Sequence, residues 1–340
     1  MPHAKTMTGD KMTDLTRRRI VAFPFAALGA SAVHAPVWAN DYPNRVVRLV
    51  VPFGPGGATD LVARVLASRL STTLGQQMIV ENRAGAGGIV GQMNVRESAP
   101  DGYSLLMATI GFGANPALFR FRTLPFDPTK DFTPIVKLVD VPTALVVNPK
   151  VGVRTAAELI ALARAKPDAL NYGSAGYGTI NHLAGELFKA ETGIKMVHVP
   201  YKSGGASVQA AVTGEITALF ATVPSSIGFI KGGQLIPIAV SSKDRIPLLP
   251  EVPPLADTVP GFNVAEWQGI VGPLGMPRDI VDKINREVVA ALKDPGVAKR
   301  LADMGAQPVG STPAQFDAFI KAEVQRWFKV AEATGMKAEE

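Results

Sequence analysis

The sequence predicts an α/β protein with mostly parallel strands, folded as two domains. Strand-like apolar segments alternate with helical segments from Val46 to Ser241, a pattern typical of strands joined by helical crossovers. Glycine-rich segments follow the ends of the predicted strands again and again. A chain of 340 residues with 47% hydrophobic content also suits two packed domains better than one.

The first strand, glycine-rich turn and helix predict an anion-binding site. Val46–Val51 is rich in β-branched residues, Gly54–Gly57 interrupts it, and a helical pattern begins at Thr59 or Asp60. A helix start has unpaired backbone N–H groups and partial positive charge, and glycine lets a ligand come close. This segment therefore fits a carboxylate, phosphate or sulfate. An ordinary strand-to-helix corner is the alternative, and no Gly-Lys-Ser/Thr follows to make a nucleotide phosphate loop.

Further glycine-rich loops follow later predicted strands, at 84–88, 110–114, 173–179 and 202–205. The loop at 84–88 does not fit the dinucleotide fingerprint, because Val90 stands where that motif needs glycine. We expect strand Tyr103–Thr109 to open into another glycine-bearing turn. Since ligands bind at the carboxyl ends of strands in such sheets, the loops are predicted to share one cleft.

The residues offer no convincing catalytic or metal-binding set, so we expect no enzyme, cofactor or metal. The chain has no cysteine, which excludes disulfides, thiolate metal sites and cysteine nucleophiles. Ser174 lacks the Gly-x-Ser-x-Gly context of a serine nucleophile because Tyr172 replaces the first glycine. His182 has no acid placed to orient it, so local packing explains it better. A secreted hydrolase stays a weaker alternative.

Residues 1–39 are predicted to be a signal peptide. Arg17–Arg19 is basic, Ile20–Val33 is apolar, and Val37-Trp38-Ala39 fits cleavage before Asn40. Export by the general or the twin-arginine route is left open. Removal of this segment, with its five basic and two acidic residues, lowers the net charge from +6 to +3. Such a mild charge without a basic run makes nucleic acid an unexpected partner.

The loops also resemble those of one family. The segments are VPFGPGGATD at 51–60, VENRAGAGG at 80–88, PDGY at 100–103, YGSAGYGTINHL at 172–183, VPYK at 199–202, and Trp267-x-Gly269 with Pro273-x-Gly275. Together they are similar to the tripartite tricarboxylate transporter substrate-binding family, also called Bug receptors. The resemblance runs in register over the whole mature chain.

This resemblance implies a periplasmic binding protein of the two-domain "Venus flytrap" type, with a ligand cleft between the domains. Domain 1 would comprise residues 40–140 plus 266–340, and domain 2 residues 141–265, with a hinge near Asp140 and Ala265. The expected function is a non-catalytic, monomeric receptor that delivers a small carboxylate to membrane transporter subunits. A receptor that signals to a membrane sensor kinase shares the same fold and site, and the sequence does not separate the two.

The resemblance implies a ligand site made from three loops. Asp60 is also expected to cap its helix, and this role explains it better than ligand contact. The family often has aspartate after Phe220, where this chain has Ala221-Thr222, and glycine at 203, where it has Ser203. The missing acid disfavours an amino-acid ligand and favours a plain carboxylate. The implied ligand-binding residues are Phe53, Gly54, Ala58, Thr59, Asp60, Thr109, Gly111, Ser174, Gly176 and Thr179.

Overall fold

The computed structural model describes residues 42–119 and 124–337. The predicted signal peptide lies outside these residues. The strands are β1 (Val47–Val51), β2 (Met78–Asn82), β3 (Ser104–Thr109), β4 (Phe132–Val141), β5 (Thr143–Val147), β6 (Asn171–Ser174), β7 (Val197–Pro200), β8 (Ala218–Thr222), β9 (Ile236–Val240), β10 (Glu266–Pro273) and β11 (Gln307–Pro308). The helices are α1 (Ala58–Thr73), α2 (Ile89–Arg96), α3 (Ile110–Leu118), α4 (Ala156–Ala165), α5 (Ile180–Thr192), α6 (Gly204–Thr213), α7 (Val223–Lys231), α8 (Arg278–Lys293), α9 (Pro295–Met304) and α10 (Pro313–Thr334). In the described ranges, no helix combines the length and the apolar character needed to cross a membrane.

The strands form two separate sheets with helices packed around them, which confirms the two-domain α/β fold. The first sheet has six strands in the order β11-β4-β10-β3-β1-β2. The second sheet has five strands in the order β7-β6-β8-β5-β9. At one end of each sheet three parallel strands are joined by helices, β3-β1-β2 in the first sheet and β7-β6-β8 in the second. Each sheet therefore places strand-to-helix loops at the carboxyl ends of these strands.

Both sheets are mixed, although most strands in each run in the same direction, as expected. In the first sheet β1 runs parallel to β2 and β3, whereas β10 is antiparallel to β3 and β4. In the second sheet β6 runs parallel to β7 and β8, whereas β5 is antiparallel to β8 and β9. Parallel neighbours need a crossover that returns to the same sheet. The strands β4, β5 and β10 instead continue into or arrive from the other domain.

The chain crosses between the two sheets at two neighbouring places. Only Pro142 separates β4 from β5. The return segment ends at β10, whose first residue, Glu266, pairs with Val141 at the end of β4. The two crossing segments therefore run side by side. The proposed hinge near Asp140 and Ala265 falls at this place, and both the hinge motion and the domain boundaries stay predictions.

The first sheet is buried on both faces. Along β1, Val47, Leu49 and Val51 pack in the apolar cluster that contains α1 and α8, whereas Val50 packs in the cluster that contains α3 and α10. All four side chains are completely buried. Because helices cover the faces of the sheet, the loops at the strand ends are the part that can reach a ligand.

Candidate functional site

A cavity lies between the two domains, where loops at the carboxyl ends of strands from both sheets meet. Phe53, Gly54 and Ala58 line it from the first domain, and Ala175 and Thr179 line it from the second. The cavity contains about 430 Å³ of atom-free space, part of it open to solvent.

The start of α1 points unpaired backbone donors at this cavity. Gly57 precedes the helix in an extended conformation and has no side chain to cap it. The N–H groups of Ala58 and Thr59 form no hydrogen bond with the described residues, and both residues line the cavity. Glycine at 57 therefore leaves the positive end of α1 open to a ligand.

The start of α5 faces the same cavity from the second domain. Thr179 precedes the helix, but its hydroxyl donates to the carbonyl oxygen of Gly176 at 2.7 Å and does not cap the helix. The N–H groups of Ile180 and Asn181 have no hydrogen-bond partner among the described residues, and both residues line the cavity. The two domains thus contribute one uncapped helix start each.

Three other helices begin at the cavity but offer fewer free donors, and one of them, α6, has a side-chain cap in Ser203. Thr109 precedes α3, whose first N–H group, on Ile110, donates to the side chain of Glu266 at 3.3 Å. Thr222 precedes α7, whose first N–H group donates to the carbonyl oxygen of Pro142. The second residue of α7 is a proline and has no N–H to offer. The starts of α1 and α5 are therefore the main donors.

No lysine or arginine lines this cavity within the described residues, and the carboxylate of Asp60 is already engaged. It accepts hydrogen bonds from the Gly56 N–H at 3.1 Å, from Asn82 at 3.0 Å and from Arg64, to which it also forms a 2.9 Å ion pair. Burial by itself would raise the pKa of Asp60, but these hydrogen bonds outweigh it and hold the pKa below its usual value. Asp60 therefore stays ionised and its charge is balanced locally.

The expectation that Asp60 is the residue capping α1 is wrong. The capping position is Gly57, and Asp60 is the third residue of the helix. Its carboxylate reaches back to the N–H of Gly56, one residue before the cap. An acid in the first helical turn stabilises the positive helix end without occupying the capping position, so the N–H groups of the first turn remain free.

The structure brings seven of the ten predicted ligand-binding residues onto the cavity wall. The seven are Phe53, Gly54, Ala58, Thr59, Asp60, Thr109 and Thr179. Gly111, Ser174 and Gly176 are not among the lining residues, although Gly176 borders a neighbouring opening that shares Phe53 and Ala175 with the cavity. The part of each residue in binding stays a prediction.

Gly111 lies at a close contact between the domains. The predicted glycine-bearing turn after β3 does not form, because α3 begins directly at Ile110. A Cβ atom at position 111 would lie 2.7 Å from the carbonyl oxygen of Gly178 in the other domain. Only glycine permits this approach without displacement. Across the same cleft the Gly54 N–H donates to the carbonyl oxygen of Lys202 at 3.3 Å, so the domains are closed on each other.

Ser174 is fully buried and supports its own loop. Its hydroxyl accepts the N–H of Gly176 at 2.9 Å and lies 2.6 Å from Nε2 of His198. This contact resembles half of a catalytic triad, yet Nδ1 of His198 has no hydrogen-bond partner in the described part of the chain. No acid orients the imidazole, and no substrate can reach a hydroxyl that is 0% exposed.

The buried His182 and the half-buried His198 are uncharged near neutral pH. Burial lowers the pKa of His182 to about 3, with smaller contributions from His198 and Lys189. Burial also lowers the pKa of His198 to about 4, although the charge of Glu186 opposes this shift. The rings lie 4.8 Å apart between centroids. The expectation that His182 packs locally agrees with this position, and the pair serves the core of the second domain.

Sequence reasoning missed two polar residues on the cavity floor, Glu266 and Gln268. Both lie on β10, two positions apart, and are buried. The Nε2 group of Gln268 donates to the Thr59 hydroxyl at 3.4 Å, and its Oε1 is buried without a hydrogen-bond partner in the described residues. The signal was present, because alternate polar residues at the start of an otherwise apolar strand share one face.

The two departures from the family pattern also lie at or beside the site. Ala221, which stands where the family often has aspartate, is fully buried, and the next residue, Thr222, lines the cavity with its hydroxyl bonded to Ser225 at 2.7 Å. Ser203 caps α6 through a 3.2 Å hydrogen bond from the Ala206 N–H. An acid is nevertheless present on the cavity wall, because Glu266 supplies one from a different strand.

Comparisons with known proteins agree with this geometry. The model of the tripartite tricarboxylate transporter family receptor matches residues 62–336. The periplasmic binding protein BugD has a solved structure with 31% sequence identity and a TM-score of 0.84, covering 88% of this chain and all of that one.

Two further solved structures contain bound acids. Rpa4515 of R. palustris with adipate has 36% identity and a TM-score of 0.84, covering 87% of this chain and 99% of that one. MatC (Rpa3494) of Rhodopseudomonas palustris with malate has 32% identity and a TM-score of 0.82, covering 85% of this chain and 99% of that one. With the family model matching most of its length, this chain belongs to the tripartite tricarboxylate transporter family of receptors.

Proposed function

We propose that this protein is a periplasmic receptor that binds a small carboxylate in the cleft between its domains. The observation that carries the proposal is the pair of uncapped helix starts, α1 from one domain and α5 from the other, that face one cavity. Each helix start carries about half a positive charge. Two of them match the single negative charge of a carboxylate group.

The ligand is held by neutral donors. Unpaired N–H groups of Ala58, Thr59, Ile180 and Asn181 supply hydrogen bonds from opposite sides of the cavity. A hydrogen bond to a charged group is worth about 1.5–3 kcal/mol, so a few of them suffice for useful affinity. Malate and adipate, the acids bound by the two relatives, are suitable first probes because they differ in length and polarity.

Binding also explains the closed arrangement of the domains. A carboxylate that contacts α1 and α5 at once stabilises the form in which the two domains touch, because only that form places both helix starts within reach. We propose that this closed form is what the transporter subunits recognise, and that the receptor acts in the periplasm after its signal peptide is removed. The role is one of delivery without catalysis, since the Ser174–His198 contact is buried away from the cavity.

A thermal-shift series with malate, adipate, propionate and citrate tests the proposal. We expect at least one acid to raise the melting temperature by several degrees, because a ligand at 100 times its Kd stabilises by about 2.7 kcal/mol. Thr59→Ala removes a cavity hydroxyl and should weaken binding about 3- to 10-fold, the value of one hydrogen bond.

The matched control is Thr73→Ala, the same substitution at an exposed position near the other end of α1. This variant should respond to acids as the wild-type protein does. The absence of a response to every acid, in the wild-type protein and both variants, would contradict carboxylate binding.

A further inference from the structure

The carboxyl group of Glu266 lies on the cavity wall with most of its hydrogen-bonding capacity unused. Glu266 is the first residue of β10 and is only 5% exposed. Its Oε1 accepts the N–H of Ile110 at 3.3 Å, and within the described residues this is the hydrogen bond its side chain makes. Because Glu266 lines the cavity, its carboxyl group can form further hydrogen bonds with a ligand bound there.

No cation balances this carboxyl group in the part of the chain that the structure describes. The charged groups on the elements packed around it are already paired with each other, as Glu323 with Arg326 on α10, Asp140 with Lys137 on β4, and Asp60 with Arg64 on α1. The strand β3 and the helix α3 contribute no ionisable side chain. An ionised Glu266 would therefore be a buried and unpaired charge, which is costly.

A protonated, neutral Glu266 avoids the free-energy cost of a buried, unpaired charge. Burial raises the pKa of Glu266 to about 8, the charges of Glu323 and Asp140 add to the effect, and the N–H of Ile110 opposes it. At pH 7 the group is then mainly a carboxylic acid with an O–H donor. Such a donor suits an anionic ligand, whereas an ionised carboxylate in the same place would repel it.

We propose that Glu266 is a specificity-determining residue that donates a hydrogen bond from its neutral carboxyl group to an oxygen of the bound organic acid. The inference rests on the proposed function and names a further contact within the same site. It predicts a preference for plain carboxylic acids over their amino analogues, because the neutral acid offers no charge to an ammonium group. It also predicts that binding weakens when Glu266 ionises.

Isothermal titration at pH 6.5 and pH 9 with malate, succinate, adipate and aspartate tests the inference. The carboxylates of these ligands are ionised at both pH values, so their charge does not explain a change. For the wild-type protein we expect the Kd of the best plain acid to rise about tenfold at pH 9, one pH unit above the pKa of Glu266. Aspartate should bind more weakly than malate and succinate.

Two variants separate the effect of Glu266 from general effects of pH. Glu266→Gln keeps a neutral donor at every pH, so its Kd should differ by less than about twofold between the two pH values. Glu97→Gln makes the same change of charge at an exposed position near the end of α2 and should keep the wild-type pH dependence. Carboxyl ¹³C NMR of glutamate-labelled protein should show one resonance, absent in Glu266→Gln, that titrates with a midpoint above 7.

The outcomes distinguish this inference from the proposed function. Acid binding that is independent of pH in the wild-type protein would overturn the proposed role of Glu266 and leave the proposed function standing. A pH dependence that persists in Glu266→Gln would have the same consequence. Tighter binding of aspartate than of malate also overturns it, because Glu266 would then act as an anion toward an amine. The absence of binding by every acid at pH 6.5 overturns the proposed function and this inference with it.

Discussion

The helices that begin at the cavity and those that begin elsewhere are stabilised differently. The helices α4 and α10 each start with a threonine capping box, in which Thr155 pairs with Glu158 and Thr312 with Gln315. The helices α1 and α5 start at the cavity, and no side chain caps them. The missing caps cost stability of about 1 kcal/mol each, and they leave donors free for a ligand.

The comparison has informative exceptions. The helix α8 also lacks a side-chain cap, but its first two residues are exposed to solvent, and the N–H of the third, Ile280, donates to the side chain of Asp279 at 3.0 Å. The helix α6 begins beside the cavity at Gly204, and Ser203 caps it. A missing cap therefore indicates a site only where the helix start is also buried at a cavity, as it is in α1 and α5.

The largest effect is expected from removing one N–H donor at the start of α1. Proline at the first helical position keeps the helix, and Gly57 before it has φ −82° and ψ 166°, which proline tolerates in its neighbour. Ala58→Pro should therefore fold. Its affinity for malate or adipate should fall about 10- to 100-fold, because the lost hydrogen bond to a charged group contributes about 1.5–3 kcal/mol to binding.

Ala58→Gly is the control for this substitution, because it keeps the N–H group at the same position. Titration calorimetry compares the two variants, and circular dichroism checks that both are folded. Equal affinities in the proline and glycine variants would contradict the claim that the uncapped start of α1 binds the acid.

A smaller effect is expected from preventing closure of the domains. In Gly111→Ala the added methyl group meets the carbonyl oxygen of Gly178 only when the domains are closed. Crowding of this kind costs about 1–3 kcal/mol, so the affinity should fall about tenfold while the melting temperature of the free protein stays the same. Gly228→Ala, at an exposed helical position with open space around it, is the control.

Small-angle scattering with saturating ligand checks the cause of that loss. The Gly111→Ala protein should be more extended than the wild-type protein and the Gly228→Ala protein. An unchanged affinity in Gly111→Ala would show that the contact between positions 111 and 178 is not needed in the bound state.

The smallest effect concerns a capped helix that does not begin at the cavity. Thr312→Ala removes the hydroxyl that accepts the Gln315 N–H at 3.2 Å. The free energy of unfolding should fall by about 1 kcal/mol, whereas the affinity for the acid should not change. Thr312→Ser keeps the hydroxyl and should be close to the wild-type protein in urea unfolding. A loss of affinity in Thr312→Ala would contradict the division between the two kinds of helix start.

The sequence predicted the parts of the site that lie within one strand, turn and helix. Gly54–Gly57 and the loop before Thr179 are local patterns, so their position at strand ends followed from periodicity and glycine content. The sequence could not predict that Glu266 and Gln268 join Thr59 and Thr109, because pairing between β10 and β3 brings together residues more than 150 positions apart. Which strands run antiparallel could not be predicted for the same reason.

Fine details of the helix starts also depended on tertiary contacts. The pattern around Thr59 and Asp60 suggested an acidic cap at Asp60, but the cap lies three residues earlier, because Gly57 adopts the extended capping conformation. Similarly, α3 starts without a glycine turn, since Gly111 is needed for its close approach to Gly178. Glycine in a loop predicts that the backbone can adopt many conformations, whereas tertiary packing decides which conformation it adopts.

Backbone amide NMR tests the central claim most directly. In ¹⁵N-labelled, deuterated protein titrated with malate or adipate, whichever gives the larger thermal shift, the amide protons of Ala58, Thr59, Ile180 and Asn181 should move downfield as they bond to the carboxylate. The amide of Gln315, which Thr312 already caps, should not move. Saturable binding that leaves the amides at the starts of α1 and α5 unchanged would contradict the claim that these helix starts hold the ligand.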